Sequence, residues 1–281
     1  MKIEQLINEV SSQKENINSI LQLLKKISGF EKNRKENLFR IRNCILQLNI
    51  ILKKDDINFP NKDLLKEWIN QYDQEIIGLE EDSMKHFGIE LEQELKKIGL
   101  SLSGQYPELK SGFFTLEIIS VNRNINIWYG PKQERLSQCQ FSTNEVVKKI
   151  KEIREKLGCR LNEELFISKL QFACSRVAIK QKDKPNPIIK VLGELSFILQ
   201  NQKFLNDPQR YNYKGYGRAD FSYDLFKARR LEQSFNFERK FRLVVATRIN
   251  TTKRQDFLWI PDDESGKGTL YSHIQFKEEL Q

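Results

Sequence analysis

Ser101–Tyr129 reads SLSGQYPELKSGFFTLEIISVNRNINIWY, and the spacing of apolar residues changes within it. Up to Ile98 the chain repeats them every three to five positions, as helices do. From Phe114 the pattern alternates: Phe114, Leu116 and Ile118 stand against Thr115 and Glu117, and Ile125, Ile127 and Tyr129 continue the apolar face. Phe113–Val121 and Ile125–Tyr129 therefore read as a β-hairpin turning at Asn122–Asn124. Ser101–Gly112, with its Ser, Gly and Pro, reads as a linker. The expected fold class is α+β: a helical, partly coiled-coil arm over 1–102 and a basic α+β body over 103–281.

Upstream of this stretch, Ile3, Val10, Ile17 and Leu24 fall seven apart, with Leu6, Ile20 and Ile27 on the companion seam and Gln13 as its polar break. A seam of that period calls for a partner helix, from the same chain or another copy. Gly29 is a plausible stop. A second helix is expected over Arg34–Lys54, where CILQLNIIL (44–52) needs a cover. A third is expected over Asn61–Ile98, with Gly78 and Gly88 as weak points, each costing about 1 kcal/mol relative to Ala.

Downstream, Gly130-Pro131 ends the hairpin and Arg135–Phe141 reads as a third strand. Ser142 and Glu145 have capping-box spacing ahead of a helix ending near Gly158. Helices follow over Asn162–Lys180 and Pro187–Phe204, separated by KDKPNP, and over Arg218–Gln233. Phe241–Ile249, Phe257–Ile260 and Thr269–Phe276 read as a C-terminal antiparallel meander, with Asp262–Gly268 as its turn.

Charge divides along the same line. The 281-residue chain carries +9, yet 1–102 holds 16 basic and 17 acidic residues, so 103–281 is the basic part. Asp207–Arg254 concentrates it: twelve Lys or Arg face five Asp or Glu, and nine of the 29 aromatic residues fall there. Basic side chains neutralise phosphates and rings stack on bases, so this interleaving points to nucleic acid, DNA or RNA, held without base-specific reading. The contact candidates are Lys214, Arg218, Lys227, Arg229, Arg230, Arg242, Arg248, Lys253 and Arg254, with Tyr213 and Tyr216 for stacking.

Lys214–Phe221 (KGYGRADF) resembles the RNP1 octapeptide of RNA-recognition motifs in its basic residue, both glycines, Tyr216 and Phe221. Arg218 and Ala219 depart from it, and the likeness covers eight residues. It implies a central strand whose rings stack on bases. The residues themselves read differently, because the flanks are helical and no βαββαβ order surrounds them. They form a glycine-flexible basic loop before a helix, able to approach a phosphate.

Other chemistries find less support. Four cysteines show no metal-ligand spacing and read as buried, reduced thiols, and only two histidines are present. Gly266-Lys267-Gly268-Thr269 lacks phosphate-loop spacing and reads as a hairpin turn. His273, on its alternating strand, is expected to face Arg242 or Arg248. Asp220 and Asp224, four apart on a helix, with Glu117, are the carboxylates that could hold Mg²⁺. No apolar run reaches the roughly 18 residues of a membrane span, and the charged N-terminus lacks a secretory signal, so a cytoplasmic protein is expected.

The leading expectation is a non-catalytic nucleic-acid-binding or assembly subunit, without cofactor or metal, whose 1–102 helices contact a protein partner or a second copy. The alternatives are an adaptor docking on a coiled-coil ATPase or other acidic protein, and a metal-dependent nuclease.

Overall fold

The computed structural model describes residues 3–54, 57, 59–119, 123–178, 184–234 and 241–276, with side chains at all of these except 6 and 231–234. Residues 120–122, which end the first expected hairpin strand and begin its turn, 182–183 of KDKPNP, and Phe235, Phe237, Arg239 and Lys240 of the basic stretch lie outside them. By internal contacts the chain forms two compact units, one of Met1–Gln93 with Ile119–Asn124 and one of Glu94–Ile118 with Ile125–Gln281. The α+β class holds.

The first unit is built on α1 (Ile3–Glu31), α2 (Arg34–Leu52) and the greater part of α3 (Lys62–Lys96). Its core joins Ile20, Leu23 and Ile27 of α1, Ile41, Ile45 and Leu48 of α2, and Ile69 and Ile76 of α3. The inner side of 44–52 is thus covered, while Leu46 and Ile50 face out. Gly29 does not stop α1. Continuing the helix brings Phe30 onto this core, and a Cβ at 29 would meet nothing. Neither Gly78 nor Gly88 breaks α3. Burying side chains such as Ile76 and Leu91 is worth about 1.5–3 kcal/mol each, more than the glycine penalty. Glu80 of α3 is buried against the Arg42 guanidinium, and its burial raises the carboxyl's pKa.

The second unit holds two sheets. In the first, β1 (Ser103–Gln105), β2 (Glu108–Ser111), β3 (Phe114–Ile119), β4 (Asn124–Tyr129) and β5 (Glu134–Gln140) follow one another in chain order. β1 and β2 occupy the segment expected to be a linker. Ser103 pairs with Lys110, and Leu109 with Leu116. Short strands of small and polar residues carry no alternation long enough to notice; their pairing to β3 makes them strands.

The helices α4 (Thr143–Lys156), α5 (Glu163–Ala178), α6 (Ile188–Ile198), α7 (Gln202–Asn206) and α8 (Arg218–Ser234) follow. α4 starts where the capping-box spacing places it, but Ser142 makes no side-chain cap bond. α5 is capped by Asn162, whose Oδ1 accepts from the Leu165 amide at 2.9 Å. The helix expected over Pro187–Phe204 divides into α6 and α7, with Asn201 Oδ1 capping the second through the Phe204 amide at 2.9 Å.

In the second sheet the central strand is β9 (Gly268–Phe276), paired with β6 (Asn186–Pro187), β7 (Phe241–Val245) and β8 (Leu258–Pro261), all antiparallel. Tyr271 pairs with Leu258 on one side and Val245 on the other. β7 is shorter than the alternation predicts: residues 249–251 form a 3₁₀ turn. Helices α5, α6 and α8 bury Phe166, Leu170, Val191, Leu195, Phe221 and Leu225 with Leu258, Ile260 and Ile274 of the sheet.

Trp259 of β8 packs on the other side with Tyr129, Leu157 and Ala219. Its backbone exchanges two bonds with the Gln133 side chain, at 2.6 and 3.2 Å, which tie β8 to the turn before β5. Gly130 and Gly268 lie against its indole, where a Cβ would come within 2.4 Å of the ring.

Candidate nucleic-acid interface

The loop ahead of α8 shows what Asp220 and Asp224 do. Asp220 Oδ2 accepts from the Gly217 amide at 3.0 Å and Oδ1 from the Gly158 amide at 2.9 Å. Asp224, 2% exposed, accepts from the Cys159 amide at 2.8 Å and the Tyr216 hydroxyl at 2.9 Å, and pairs with Lys227 at 3.1 Å. These carboxylates join α8 to the 158–159 turn and to its own entry loop. Asp224 Oδ1 accepts no hydrogen bond and meets only the Lys227 ammonium, and among the described residues no group of three His, Cys, Asp or Glu side chains is placed to hold a metal ion. Glu117, the third carboxylate, binds Asn126, Trp128 and Lys132 on the first sheet.

The amino end of α8 is likewise occupied. Glu134 Oε2 accepts from the Ala219 amide at 2.7 Å, and a Cβ on Gly217 would lie 2.5 Å from Glu134 Oε1. A helix amino terminus attracts anions, and here the anion is the protein's own carboxylate. The octapeptide that resembles RNP1 is a loop followed by the first turn of a helix, not a strand. Tyr216 is buried, and desolvation with the nearby Asp224 raises its pKa well above the usual phenol value. Its ring has no free face for a base.

The cations sort into three groups. Lys227, Arg229 and Arg230 on α8 pair with Asp224, Asp262 (3.5 Å) and Glu264, and each lies over a ring, of Tyr223, Tyr271 and Phe226 respectively. Burial opposes the charge on Lys227, but Asp224 outweighs it and raises the pKa. Lys227 and Arg230 also line a cavity of about 320 Å³ with Phe113, Arg154, Tyr223 and Phe226. There Arg154 donates to the Ile98 carbonyl at 3.1 Å.

Three candidates bond to neutral groups, Arg218 to the Phe257 carbonyl and two others. Lys214 Nζ donates to the Cys159 carbonyl at 3.3 Å and Arg242 Nε to Gln275 Oε1 at 2.9 Å. The register sets Arg242 opposite Gln275 and His273 opposite Val244, so the histidine does not pair across β7 with either arginine. Its Nδ1 lies 2.9 Å from Ser272 Oγ.

The third group lies on the connection from β7 to β8. Arg248, Lys253 and Arg254 are exposed and form no ion pair among the described residues. Two 3₁₀ turns, Ile249–Thr251 and Arg254–Asp256, shape this connection. Arg218 is close enough for Arg254 to depress its pKa, after the larger effect of burial. The Arg218 guanidinium donates to the Phe257 carbonyl, lies 6.0 Å from the Phe257 ring centre, and leaves its Nε without a partner. Of the stacking candidates, Tyr213 is exposed, its ring edge-on to Phe204 at 5.4 Å.

Sequence reasoning missed Glu134, Gln133 and Gly158. They act on residues 62 to 126 positions away, and no local pattern encodes such a pairing. Comparisons with protein-family models, with curated proteins and with solved structures return no match for this chain.

Proposed function

We propose that this protein is a non-catalytic binding or assembly subunit that contacts a nucleic-acid phosphate backbone through the connection between β7 and β8. The observation that supports the reading is the exposed trio Arg248, Lys253 and Arg254, without ion pairs among the described residues, with Arg254 near the half-buried Arg218. Cations already neutralised by carboxylates release few counterions when a phosphate arrives; unpaired ones contribute fully. The surface is therefore narrower than the composition of 207–254 implies. It relies on the connection, with Lys214 and Tyr213 as further candidates, rather than on Lys227, Arg229 and Arg230 of α8. Backbone contacts of this kind carry no sequence preference.

Titration of labelled single- and double-stranded oligonucleotides at two ionic strengths tests it. For duplex DNA, changing Arg248, Lys253 and Arg254 together to Ala is expected to reduce the slope of log affinity against log salt by about 2–3, at about 0.9 per lost phosphate contact. Binding that ignores salt, or that survives the triple change intact, rejects the reading.

The adaptor reading keeps one observation of its own, the apolar residues that α1 leaves exposed. No observation of its own favours the nuclease reading, and we do not propose it.

A further inference from the structure

We propose that residues 3–17 of α1 pair with the same segment of a second copy as a short parallel two-stranded coiled coil. The inference rests on the first unit alone and is independent of the phosphate-binding reading.

Lys54, just beyond α2, donates to Asn16 Oδ1 at 3.3 Å, which places the carboxyl end of α2 level with Asn16. Among the described side chains, Ile20 is the first apolar residue of α1 to be buried. The part of α1 ahead of Asn16 thus runs on past α2 for 13 residues, about 20 Å at 1.5 Å per residue. Along it Ile3, Ile7, Val10 and Ile17 are 73, 58, 66 and 39% exposed. Solvent faces of helices are ordinarily polar, and a row of β-branched residues at this spacing is a face without its cover.

The sequence says what fits it. Ile3, Val10 and Ile17 take heptad position a, and Leu6 and Gln13 take position d. β-branched residues at a with Leu at d favour two parallel strands, and one polar residue in the seam holds the register at some cost in stability. Glu9 then falls at g and Lys14 at e of the following heptad. In a parallel pair those positions face each other, Glu9 of one copy against Lys14 of the other, twice by symmetry. An antiparallel pair sets g beside g and e beside e, bringing like charges together. Both residues are exposed, and neither forms an ion pair among the described residues.

About two heptads are too few for an isolated coiled coil. Here the helix is already nucleated and held by α2 packing on residues 20–27, so the cost of forming it is met within each copy.

Sedimentation equilibrium of the full chain is expected to show a monomer–dimer balance. Val10→Lys puts a charge into the seam and should raise the dissociation constant by on the order of tenfold or more. Because Val10 is exposed in the single copy, circular dichroism should show an unchanged fold. Glu9→Lys or Lys14→Glu alone should weaken the dimer, and the two together restore it. Ile3→Cys should oxidise to a disulfide-linked dimer, since parallel helices bring the two position-3 residues together; the four native thiols are buried. A chain that stays monomeric, a dimer indifferent to Val10→Lys, or one that fails to cross-link at position 3 overturns the proposal.

Discussion

Asp224 shows most plainly how a charged residue can be spent on architecture. Its carboxylate is buried and takes an amide, a phenol and an ammonium, so truncation would strand all three donors. Breaking a buried charge network of this kind costs about 3–5 kcal/mol. Asp224→Ala is expected to lower stability by that order, read as a fall in the urea midpoint. Gly158 sits against it with φ +86, where a Cβ would lie 2.4 Å from Asp224 Oδ1. Gly158→Ala therefore combines left-handed strain with a clash, and should cost on the order of 1–3 kcal/mol by the same measurement. Gly215, in the basic loop ahead of α8, has open space where a Cβ would stand and should tolerate Ala within about 0.5 kcal/mol. Equal losses at 158 and 215 would refute this assignment of roles.

At the scale of elements, the first sheet is held by a polar set as well as by its apolar face. Glu117 on β3 accepts from Lys132 at 2.7 Å, Asn126 at 3.1 Å and Trp128 at 2.8 Å. These bonds, led by that of Lys132, lower its pKa to about 2. An unfolded glutamate titrates near 4.3. The stabilisation is thus complete above that value and is lost as pH falls toward 2. Glu117→Gln should remove this part of the acid-unfolding profile, leaving a shallower dependence on pH between about 4 and 2. Denaturant unfolding at a series of pH values reads the difference, and an unchanged slope would show that the bonds do not persist in solution. The amino end of α8 is a second case. A sequence reader sees basic residues and glycines before a helix and expects an incoming anion. The structure supplies the anion from β5, through Glu134.

Across the whole molecule the four thiols report on packing. Burial pushes Cys139 and Cys159 up to about 11 and Cys174 up to about 12, and raises Cys44. The thiolate is the reactive form, so native protein at neutral pH should take up iodoacetamide at none of them, and denatured protein at all four. Mass spectrometry counts the adducts, and a site labelled in the native state would mark a local opening. Charge is organised at this scale too. Lys227, Arg229 and Arg230 of α8 are neutralised by Asp224, Asp262 and Glu264, while the cations of the connection between β7 and β8 have no ion-pair partner among the described residues. Composition counts both sets alike.

Periodicity alone determined the α+β class, the three long helices and the β3–β4 hairpin, because each is a short-range pattern of polar and apolar residues. The strands β1 and β2, the division of 187–206 into two helices, and the fate of every charged candidate were decided by tertiary structure. A carboxylate at 134 or 224 is a metal ligand, a cap or a counter-ion according to which amide or ammonium the fold brings within 3 Å of it. Those partners lie up to 85 residues away in the chain, where no local spacing can announce them.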